Sequence, residues 1–472
     1  MLTQSLGSGS TATDDRSGAW IAFARVFAGF LLLYELTFGG WWKLGWVTTG
    51  TNTDWIVIGS EASGLLPITI VGTEVESVAT RAIEDGTYGW FAAVLEAVVL
   101  PYPELWTALA LLAQVGAAVA LIFGFWTRPA ALVTILYFLP VFHFGMIRTS
   151  PLFTVPIAFA FVANAGRYYG LDGILWNRSD TVGRLTRAVN APLPIPKGWY
   201  PALAAGFALL GTYYLLSITQ VVDTRVHLTA LEMTVFAGLT AGGFWLVSRG
   251  GEPTTVAADA LRIFVGYRFL QEIVVRTEPG ANALPGWASA DAQAEVFEGI
   301  AEAHVAPMAA FIELAVLPAM SVWVVLFAVV QTAVGIALLV GYRTRLAGTL
   351  AVAYLSVLTA LGLVRLAPLV FASAIVATTL AGRHASLDAV AGRTTEPPAL
   401  PRSVSLPAAG VAAFFLATGA VIGIDPEVGY GDVAGPVALV MLAFGLLALA
   451  FVSSSRLAPV FEPSGTSASS DD

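Results

Sequence analysis

The chain has 472 residues, of which 57% are hydrophobic and 12% are charged, and its net charge is −9. Soluble domains typically have about 45–50% apolar and about 25% charged residues. This balance, with a mean hydropathy of +0.77, therefore excludes a soluble enzyme, a disordered chain and a nucleic-acid-binding protein. The absence of cysteine excludes disulfides, iron–sulfur clusters and thiolate ligation of haem or zinc. We expect an all-α polytopic membrane protein in a lipid bilayer, and the acidic, lysine-poor composition indicates a halophile source.

Runs of apolar residues predict the membrane-spanning helices, because a helix needs about 20 residues to cross about 30 Å of hydrocarbon. The sequence predicts about 12 spans. In chain order they are 20–40, 105–125, 129–147, 150–165, 199–218, 226–248, 261–275, 319–342, 346–364, 366–382, 404–424 and 433–452. Two shorter apolar segments, 88–100 and 306–317, are predicted to be interfacial or re-entrant helices.

A repeated pattern divides these spans into two similar halves. The pattern R-x-F-x-G-x-x-x-L-x-E begins at Arg25 and again at Arg262, and many later residues recur at one spacing of 217. The pattern predicts two four-helix units, 20–172 and 260–388, each followed by a two-helix extension, 199–250 and 404–453. Because each half then holds an even number of spans, the halves are expected to be parallel.

The remaining segments are expected to be tails, linkers and loops. Residues 1–19 and 454–472 are predicted to be polar tails, 173–198 a basic cytoplasmic linker and 389–403 a second cytoplasmic linker. Of the 23 Lys and Arg, fourteen fall on the side of the termini and six on the other. This predicts a multi-pass protein of the plasma membrane with both termini cytoplasmic. Two long acidic outer loops, 41–88 and 276–305, are expected to be functional or to bind a partner subunit.

Charged side chains near the outer face are candidate catalytic residues, because ionisable groups in hydrocarbon are costly. Each unit is predicted to bring two carboxylates and one arginine to the same level. Such a group could bind an anion or pass protons between the carboxylates; the alternative is a polar network that holds the short outer helix in place. The candidates are Glu35, Glu96 and Arg148 in the first unit and Glu272, Glu313 and Arg365 in the second.

Two arginines near the cytoplasmic ends of their helices have two interpretations. Arg25 and Arg262 are expected either to reach the lipid headgroups or to bind partners at the corner that follows the fourth span. Asp172 and Asp388 lie at that corner and are the natural ion-pair partners.

Single polar and aromatic residues could also bind a cofactor. Gln114 and Gln331 are expected to form interhelical hydrogen bonds. His143, whose counterpart in the repeat is Ala360, is either a hydrogen-bonded structural residue or a donor to a quinone. Trp42 lies in a tryptophan cluster that is either an interfacial belt or the floor of a quinone pocket. The four histidines show no facing pair, so neither haem nor a metal is expected.

Three short motifs recur in the same order in both units. The first unit has RVFAG at 25–29, GFWTR at 124–128 and GRYYGLD at 166–172. The second unit has RIFVG at 262–266, GYRTR at 341–345 and GRHASLD at 382–388. With these motifs the repeated unit resembles the DoxX/DoxD family of four-helix membrane proteins, which includes the membrane subunit of thiosulfate:quinone oxidoreductase. The resemblance implies a quinone-linked, sulfur-related redox role, often with a partner. The second unit, the helix-pair extensions and the acidic loops depart from the family.

Three functions remain open at this point. The first is a quinone-linked oxidoreductase or its membrane subunit, acting on thiosulfate or a related sulfur anion at the outer face. The second is a transporter of a small anion or lipid, which requires polar groups facing each other deep in the bilayer. The third is a non-catalytic assembly or scaffold protein whose acidic outer loops bind a partner.

Overall fold

A computed structural model of the chain describes most residues between 73 and 393. The predicted spans 404–424 and 433–452 lie outside the described residues, apart from residue 410. The described residues are 21–22, 25–26, 28–29, 32, 56–58, 68–70, 73–143, 150–192, 195–218, 224–275, 289–302, 306–360, 367–378, 381–393 and 410.

The described chain is built from helices. In chain order they are α1 (Thr73–Glu84), α2 (Gly89–Val94), α3 (Pro103–Leu111), α4 (Ala117–Phe123), α5 (Thr127–His143), α6 (Ser150–Val162), α7 (Leu171–Trp176), α8 (Thr181–Val189), α9 (Tyr200–Ser217), α10 (Thr224–Ser248), α11 (Pro253–Val275), α12 (Ala290–Glu302), α13 (Ala306–Phe311), α14 (Met320–Val340), α15 (Thr344–Ala360), α16 (Ala367–Thr378) and α17 (Leu387–Val390). Single π-helical turns follow α2, α3 and α13, at Leu95–Val99, Leu112–Gly116 and Ile312–Val316.

Three of the described helical stretches are long and apolar enough to cross a membrane. They are Pro103–Phe123, Thr229–Ser248 and Met308–Val340, of 21, 20 and 33 residues. The helical membrane fold predicted from composition is therefore confirmed. The total of about twelve spans and their parallel halves stay predictions.

The predicted outer loops contain regular structure. In the first, Ile56–Ile58 (β1) pairs antiparallel with Ile68–Ile70 (β2), and Val57 lies opposite Thr69. Helix α1 follows in the same loop, and α12 lies in the second loop. Both helices alternate polar and apolar faces with helical spacing, so they cover the bundle instead of forming extended loops.

The chain divides into two compact units. One comprises Ala24–Ala260 with Pro463–Asp472, and we call it the 24–260 unit. The other comprises Met1–Phe23 with Leu261–Glu462, and we call it the 261–462 unit.

Each unit has a core beneath its amphipathic outer helix. In the 24–260 unit, Ala79 and Ala82 of α1 join a buried cluster that includes Phe91, Phe142 and Met233. These contacts pack α1 against the helices beneath it.

The core of the 261–462 unit is arranged in a similar way. Phe297 and Ala301 of α12 pack with Ile312, Val316 and Met320. The covering helix thus packs on the π-helical turn and on the start of α14.

Small residues let neighbouring helices approach closely in both units. A Cβ added to Gly29 would lie 2.8 Å from the carbonyl oxygen of Ala118, and one added to Gly266 would lie 2.6 Å from the backbone nitrogen of Leu339. The packing of membrane helices relies on such close backbone contacts, because lipid supplies no hydrophobic drive for helices to associate.

Helix α11 begins at Pro253, eight residues before the predicted start of its span at 261. The Glu252 carboxylate accepts hydrogen bonds from the backbone N–H of Thr254 (2.9 Å) and of Thr255 (2.6 Å). Glu252 therefore caps the helix, and Pro253 takes the first helical position, which needs no N–H donor. Hydropathy alone missed this polar first turn.

Candidate functional site

The buried guanidinium of Arg25 binds the carboxyl end of α4. Arg25 is 0% exposed, and it donates to the carbonyl oxygens of Leu121 (2.7 Å) and Ile122 (3.3 Å). It also donates to the carbonyl oxygens of Tyr168 (3.4 Å) and Tyr169 (3.2 Å) in the loop before α7. The last carbonyls of a helix lack intrahelical donors and carry partial negative charge, so a cation is favoured there.

Asp172 binds backbone groups at the same corner. Its carboxylate accepts from the N–H of Trp126 (2.8 Å) and of Thr127 (2.9 Å), and its own N–H donates to the carbonyl of Gly124 (2.8 Å). The expected direct ion pair with Arg25 is therefore wrong, and so is the alternative of a side chain reaching the headgroups. Each charge is instead satisfied by peptide groups, which join the ends of α4, α5 and α7.

The same arrangement occurs in the 261–462 unit. Arg262 is 0% exposed and donates to the carbonyls of Leu338 (2.5 Å), Leu339 (3.0 Å) and Ala385 (2.9 Å). Leu338 and Leu339 lie 217 residues after Leu121 and Ile122, so both arginines bind carbonyls at equivalent helix ends and at the loop that follows.

Asp388 completes the second corner as Asp172 completes the first. Its carboxylate accepts from the N–H of Arg343 (2.9 Å) and of Thr344 (2.7 Å), and its N–H donates to Gly341 (2.9 Å). The charged residues at both corners therefore stabilise turns by binding backbone groups.

Helix–helix hydrogen bonds also recur in the two units. The side chain of Gln114 donates to the hydroxyl of Tyr137, and the hydroxyl of Tyr354 donates to Gln331 (3.3 Å). These contacts confirm the predicted interhelical role of the two glutamines.

The outer π-helical turns are held by tryptophan in both units. The indole N–H of Trp106 donates to the carbonyl of Val98 (2.9 Å), and that of Trp323 donates to Ala315 (3.1 Å). A π turn shifts the hydrogen-bond ladder by one residue and leaves carbonyls that need other donors. The indole supplies that donor at equivalent positions of the repeat.

Of the six predicted catalytic residues, the structure describes the side chains of two, Glu96 and Glu313. Glu96 and Glu313 each lie in a π-helical turn and are exposed. Glu272 lies on α11, but its side chain is outside the described residues, as are Glu35, Arg148 and Arg365 entirely. The convergence of each triad therefore stays a prediction.

His143, predicted as a quinone-binding residue, is buried at the end of α5. It is 7% exposed, its Nε2 lies 2.8 Å from the hydroxyl of Tyr214, and its Nδ1 lies 3.1 Å from the carbonyl of Leu139. A carbonyl can only accept, so this network assigns the ring proton to Nδ1. Nε2 then accepts a hydrogen bond from the Tyr214 hydroxyl. Trp42, the other predicted cofactor residue, lies outside the described residues.

Aromatic rings surround this pair. The ring centroids of Phe91 and Trp90 lie 4.9 Å and 5.3 Å from that of His143. Tyr88 packs edge-on against Tyr214 at 5.5 Å. We call these five residues the aromatic cluster.

Hydrogen bonds hold the aromatic cluster together. The Tyr88 hydroxyl lies 2.7 Å from that of Ser217, and the hydroxyl of Thr87 donates to the carbonyl of His143 (3.2 Å). Thr229 of α10 donates to the carbonyl of Phe142 (3.0 Å). Helices α9 and α10, the predicted two-helix extension, therefore complete the site.

The sequence prediction missed Tyr88 and Tyr214. A signal for the second was present, since Tyr213 and Tyr214 stand together inside an otherwise aliphatic predicted span. Nothing in the local pattern connects Tyr214 to His143, which lies 71 residues earlier.

The family model described as DoxX matches residues 21–145 of the chain. This segment is DoxX-like. The match covers the first part of the 24–260 unit, including Arg25, the Gly124 turn and His143, and it confirms the DoxX resemblance of that segment. The duplication of the unit stays a prediction. The chain is thus an integral membrane protein with a DoxX-like segment spanning about a quarter of its length. No curated protein and no solved structure matches it.

Proposed function

We propose that this protein is a quinone-linked membrane oxidoreductase, or the membrane subunit of one, and that its quinone binds at the aromatic cluster. The observation that supports the proposal most is the buried His143–Tyr214 pair enclosed by aromatic rings. Ligand sites of this kind are mostly apolar and contain a few well-placed polar groups. The resemblance drawn from the motifs implies the same class of chemistry.

The residues of the cluster match the groups that a quinone presents. The planar ring of a quinone would pack on the face of Trp90, which is half-exposed beside the buried pair. Its carbonyl oxygens need hydrogen-bond donors, and the Tyr214 hydroxyl can turn its hydrogen from Nε2 of His143 towards such an oxygen. When bound, a quinone takes up two electrons and two protons.

His143 and Tyr214 would then hold and pass protons. Nε2 of His143 carries a lone pair and can accept a proton. The Tyr214 hydroxyl, 2.8 Å away, can pass a proton between that nitrogen and a bound carbonyl oxygen. The electrons would come from a sulfur anion such as thiosulfate, two of which would join through a new S–S bond and release two electrons to the quinone. We propose that these anions bind at the outer face near Glu96, Arg148 and their counterparts.

Binding and turnover of a soluble quinone test the proposal. The full chain in lipid nanodiscs should bind a short-chain ubiquinone, and membranes that contain it should reduce that quinone in the presence of thiosulfate. Tyr214→Phe and His143→Gln should lower the rate about 10²-fold or more, since positioned proton transfer contributes about 10²–10⁴-fold. Tyr137→Phe is the matched control, because Tyr137 is also a tyrosine bonded within the helices but pairs with Gln114.

The binding measurement distinguishes a wrong site from a wrong function. Quinone binding that is unchanged by both cluster variants would show that the site is elsewhere. Absence of binding to the full chain would reject the quinone role.

A second function, partner assembly, is favoured by the polar face of α12. Asp291, Glu295, Glu298 and Glu302 recur at helical spacing, and all four are exposed. A basic partner subunit would recognise such a face and dissociate at high salt. Replacing Glu295 and Glu298 with lysine should release a co-purifying subunit and leave the fold intact. A subunit that stays bound would reject this role.

A further inference from the structure

The segment between α6 and α9 carries a surface that the sequence pattern did not reveal. Predicted as a basic linker, it instead forms α7 and α8. Asp180 caps α8, because its carboxylate accepts from the N–H of Gly183 (2.9 Å). Arg187 then ties α8 to α7 by donating to the carbonyls of Trp176 (2.5 Å) and Arg178 (2.9 Å). The two helices therefore form one ordered element.

Helix α8 buries its polar side and exposes its apolar side, which is the opposite of an amphipathic helix on a water-facing surface. Its buried side consists of small and polar residues, Gly183, Thr186 and Asn190. Its exposed side carries Val182 (46%) and Leu185 (47%). An amphipathic helix on a water-facing surface turns its apolar side inward.

Helix α7 continues the exposed apolar side. Leu171 is 40% exposed and Ile174 is 59% exposed. Neighbouring exposed aliphatic residues of this size need an apolar medium or partner to cover them.

Hydrogen bonds place the start of α7 at the end of a membrane-spanning helix. The candidate span Pro103–Phe123 ends next to Gly124, whose carbonyl accepts from the N–H of Asp172 (2.8 Å). The carboxylate of Asp172 accepts in turn from Trp126 and Thr127. The exposed residues of α7 and α8 therefore lie near the level where the hydrocarbon ends.

Positive charge accompanies the apolar surface. Between 165 and 199 there are five basic residues and two acidic ones, in a chain whose net charge is −9. Asp172 is buried at the corner, and Asp180 pairs with Arg178 at 2.5 Å. Arg184 and Lys197 are exposed.

The cations stand close enough to affect each other. Burial, with the positive charge of Arg167 added to it, lowers the pKa of Arg128. The guanidinium of Arg167 also lies over the ring of Trp176 at 4.7 Å. An anionic surface would relieve this repulsion between like charges.

We propose that α7 and α8 form an interfacial element that binds the anionic phospholipid headgroups of the membrane leaflet at this end of the 24–260 unit. Leu171, Ile174, Val182 and Leu185 insert at the boundary between headgroups and acyl chains, as in interfacial amphipathic helices. Arg184 and Lys197 then lie among the phosphates, where each adds affinity for anionic lipid.

The depth of α8 tests the apolar half of the proposal. Because the chain has no cysteine, Leu185→Cys and Ile174→Cys each give a single site for a nitroxide label in the full protein. Both labels should be accessible to oxygen and shielded from a water-soluble relaxation agent in vesicles of phosphatidylcholine and phosphatidylglycerol. A label at Thr181→Cys, on the exposed polar edge of α8, should be accessible to the water-soluble agent. Equal water exposure at all three positions would overturn the proposal.

Lipid selectivity tests the charged half. In vesicles that mix the two lipids, spin-labelled phosphatidylglycerol should associate more strongly than phosphatidylcholine. The double variant Arg184→Gln with Lys197→Gln should reduce that preference by about fivefold for each charge removed. Arg81→Gln, which removes an exposed charge from α1, should leave it unchanged.

The remaining outcomes distinguish lipid headgroups from free anions. Inorganic phosphate at millimolar concentration should not displace the labelled lipid beyond the effect of its ionic strength. Displacement by phosphate alone, an unchanged preference in the double variant, or an equal loss in Arg81→Gln would each reject the headgroup site.

Discussion

Replacing Arg25 with methionine should destabilise the 24–260 unit. Methionine keeps an unbranched apolar stem but removes the guanidinium that binds four carbonyl oxygens around the Gly124 corner. The two shortest of these contacts are those to Leu121 (2.7 Å) and Tyr169 (3.2 Å). The substitution leaves these buried carbonyl oxygens without their guanidinium donor.

The expected loss of unfolding free energy follows from the carbonyls of Leu121 and Tyr169. A buried acceptor that loses its donor costs about 1–3 kcal/mol, and more where the donor was charged. Loss of both contacts therefore costs about 2–6 kcal/mol of unfolding free energy. For a unit of about 150–250 residues each kcal/mol shifts Tm by about 2–4 °C, so a cost near 3 kcal/mol lowers Tm by roughly 6–12 °C.

Thermal unfolding of the full chain in detergent is the assay, with two matched variants. Arg262→Met should cost a similar amount, because Arg262 binds the equivalent carbonyls in the 261–462 unit. Arg249→Met should cost less than about 1 kcal/mol, because Arg249 is exposed and its guanidinium lies over Trp245. If Arg25→Met unfolds at the same temperature as Arg249→Met, the corner does not depend on the guanidinium.

Three further predictions concern single contacts. Gly124→Ala should lower the free energy of unfolding by more than about 1–2 kcal/mol, because its φ of +65° is left-handed and the new Cβ would clash with the Arg25 guanidinium. The control is Gly250→Ala, at φ +96° but in open space, which should lower it less in the same thermal assay. Gln114→Leu should destabilise the helix pair by about 0.6–2 kcal/mol through loss of its bond to Tyr137, and a Tm equal to wild type would contradict this. Burial raises the pKa of Glu252, but the hydrogen bonds from Thr255 and Thr254 outweigh it and lower the pKa below the usual 4.5. The cap therefore stabilises above about pH 4.5 and is lost as the pH falls through the lowered value, so Glu252→Gln should flatten the acid limb of Tm against pH.

The membrane class and the corner residues could be predicted because their signals are local. Uninterrupted apolar runs mark the spans Pro103–Phe123 and Met308–Val340, and hydropathy depends only on neighbouring residues. The repeated motifs that pair Arg25 with Arg262 and Asp172 with Asp388 predicted equivalent corners. The structure gives these residues equivalent backbone partners.

The partners of the charged residues could not be predicted. A buried arginine can be satisfied by a carboxylate or by carbonyls. The helix end at Gly124, with φ +65°, and the loop at Tyr168 and Tyr169 both present carbonyls to Arg25. The start of α11 was missed for a related reason, since the cap at Glu252 is polar and hydropathy does not register it.

By itself the sequence determined that this chain is a helical membrane protein with a DoxX-like segment, because composition and short motifs carry that information along the chain. Only the tertiary structure decided that His143 forms a hydrogen bond with Tyr214 and that α8 exposes Val182 and Leu185. These two features depend on which surfaces of distant helices face each other. Hydrogen-bond partners and buried faces are chosen by packing in three dimensions, which a pattern of neighbouring residues does not encode.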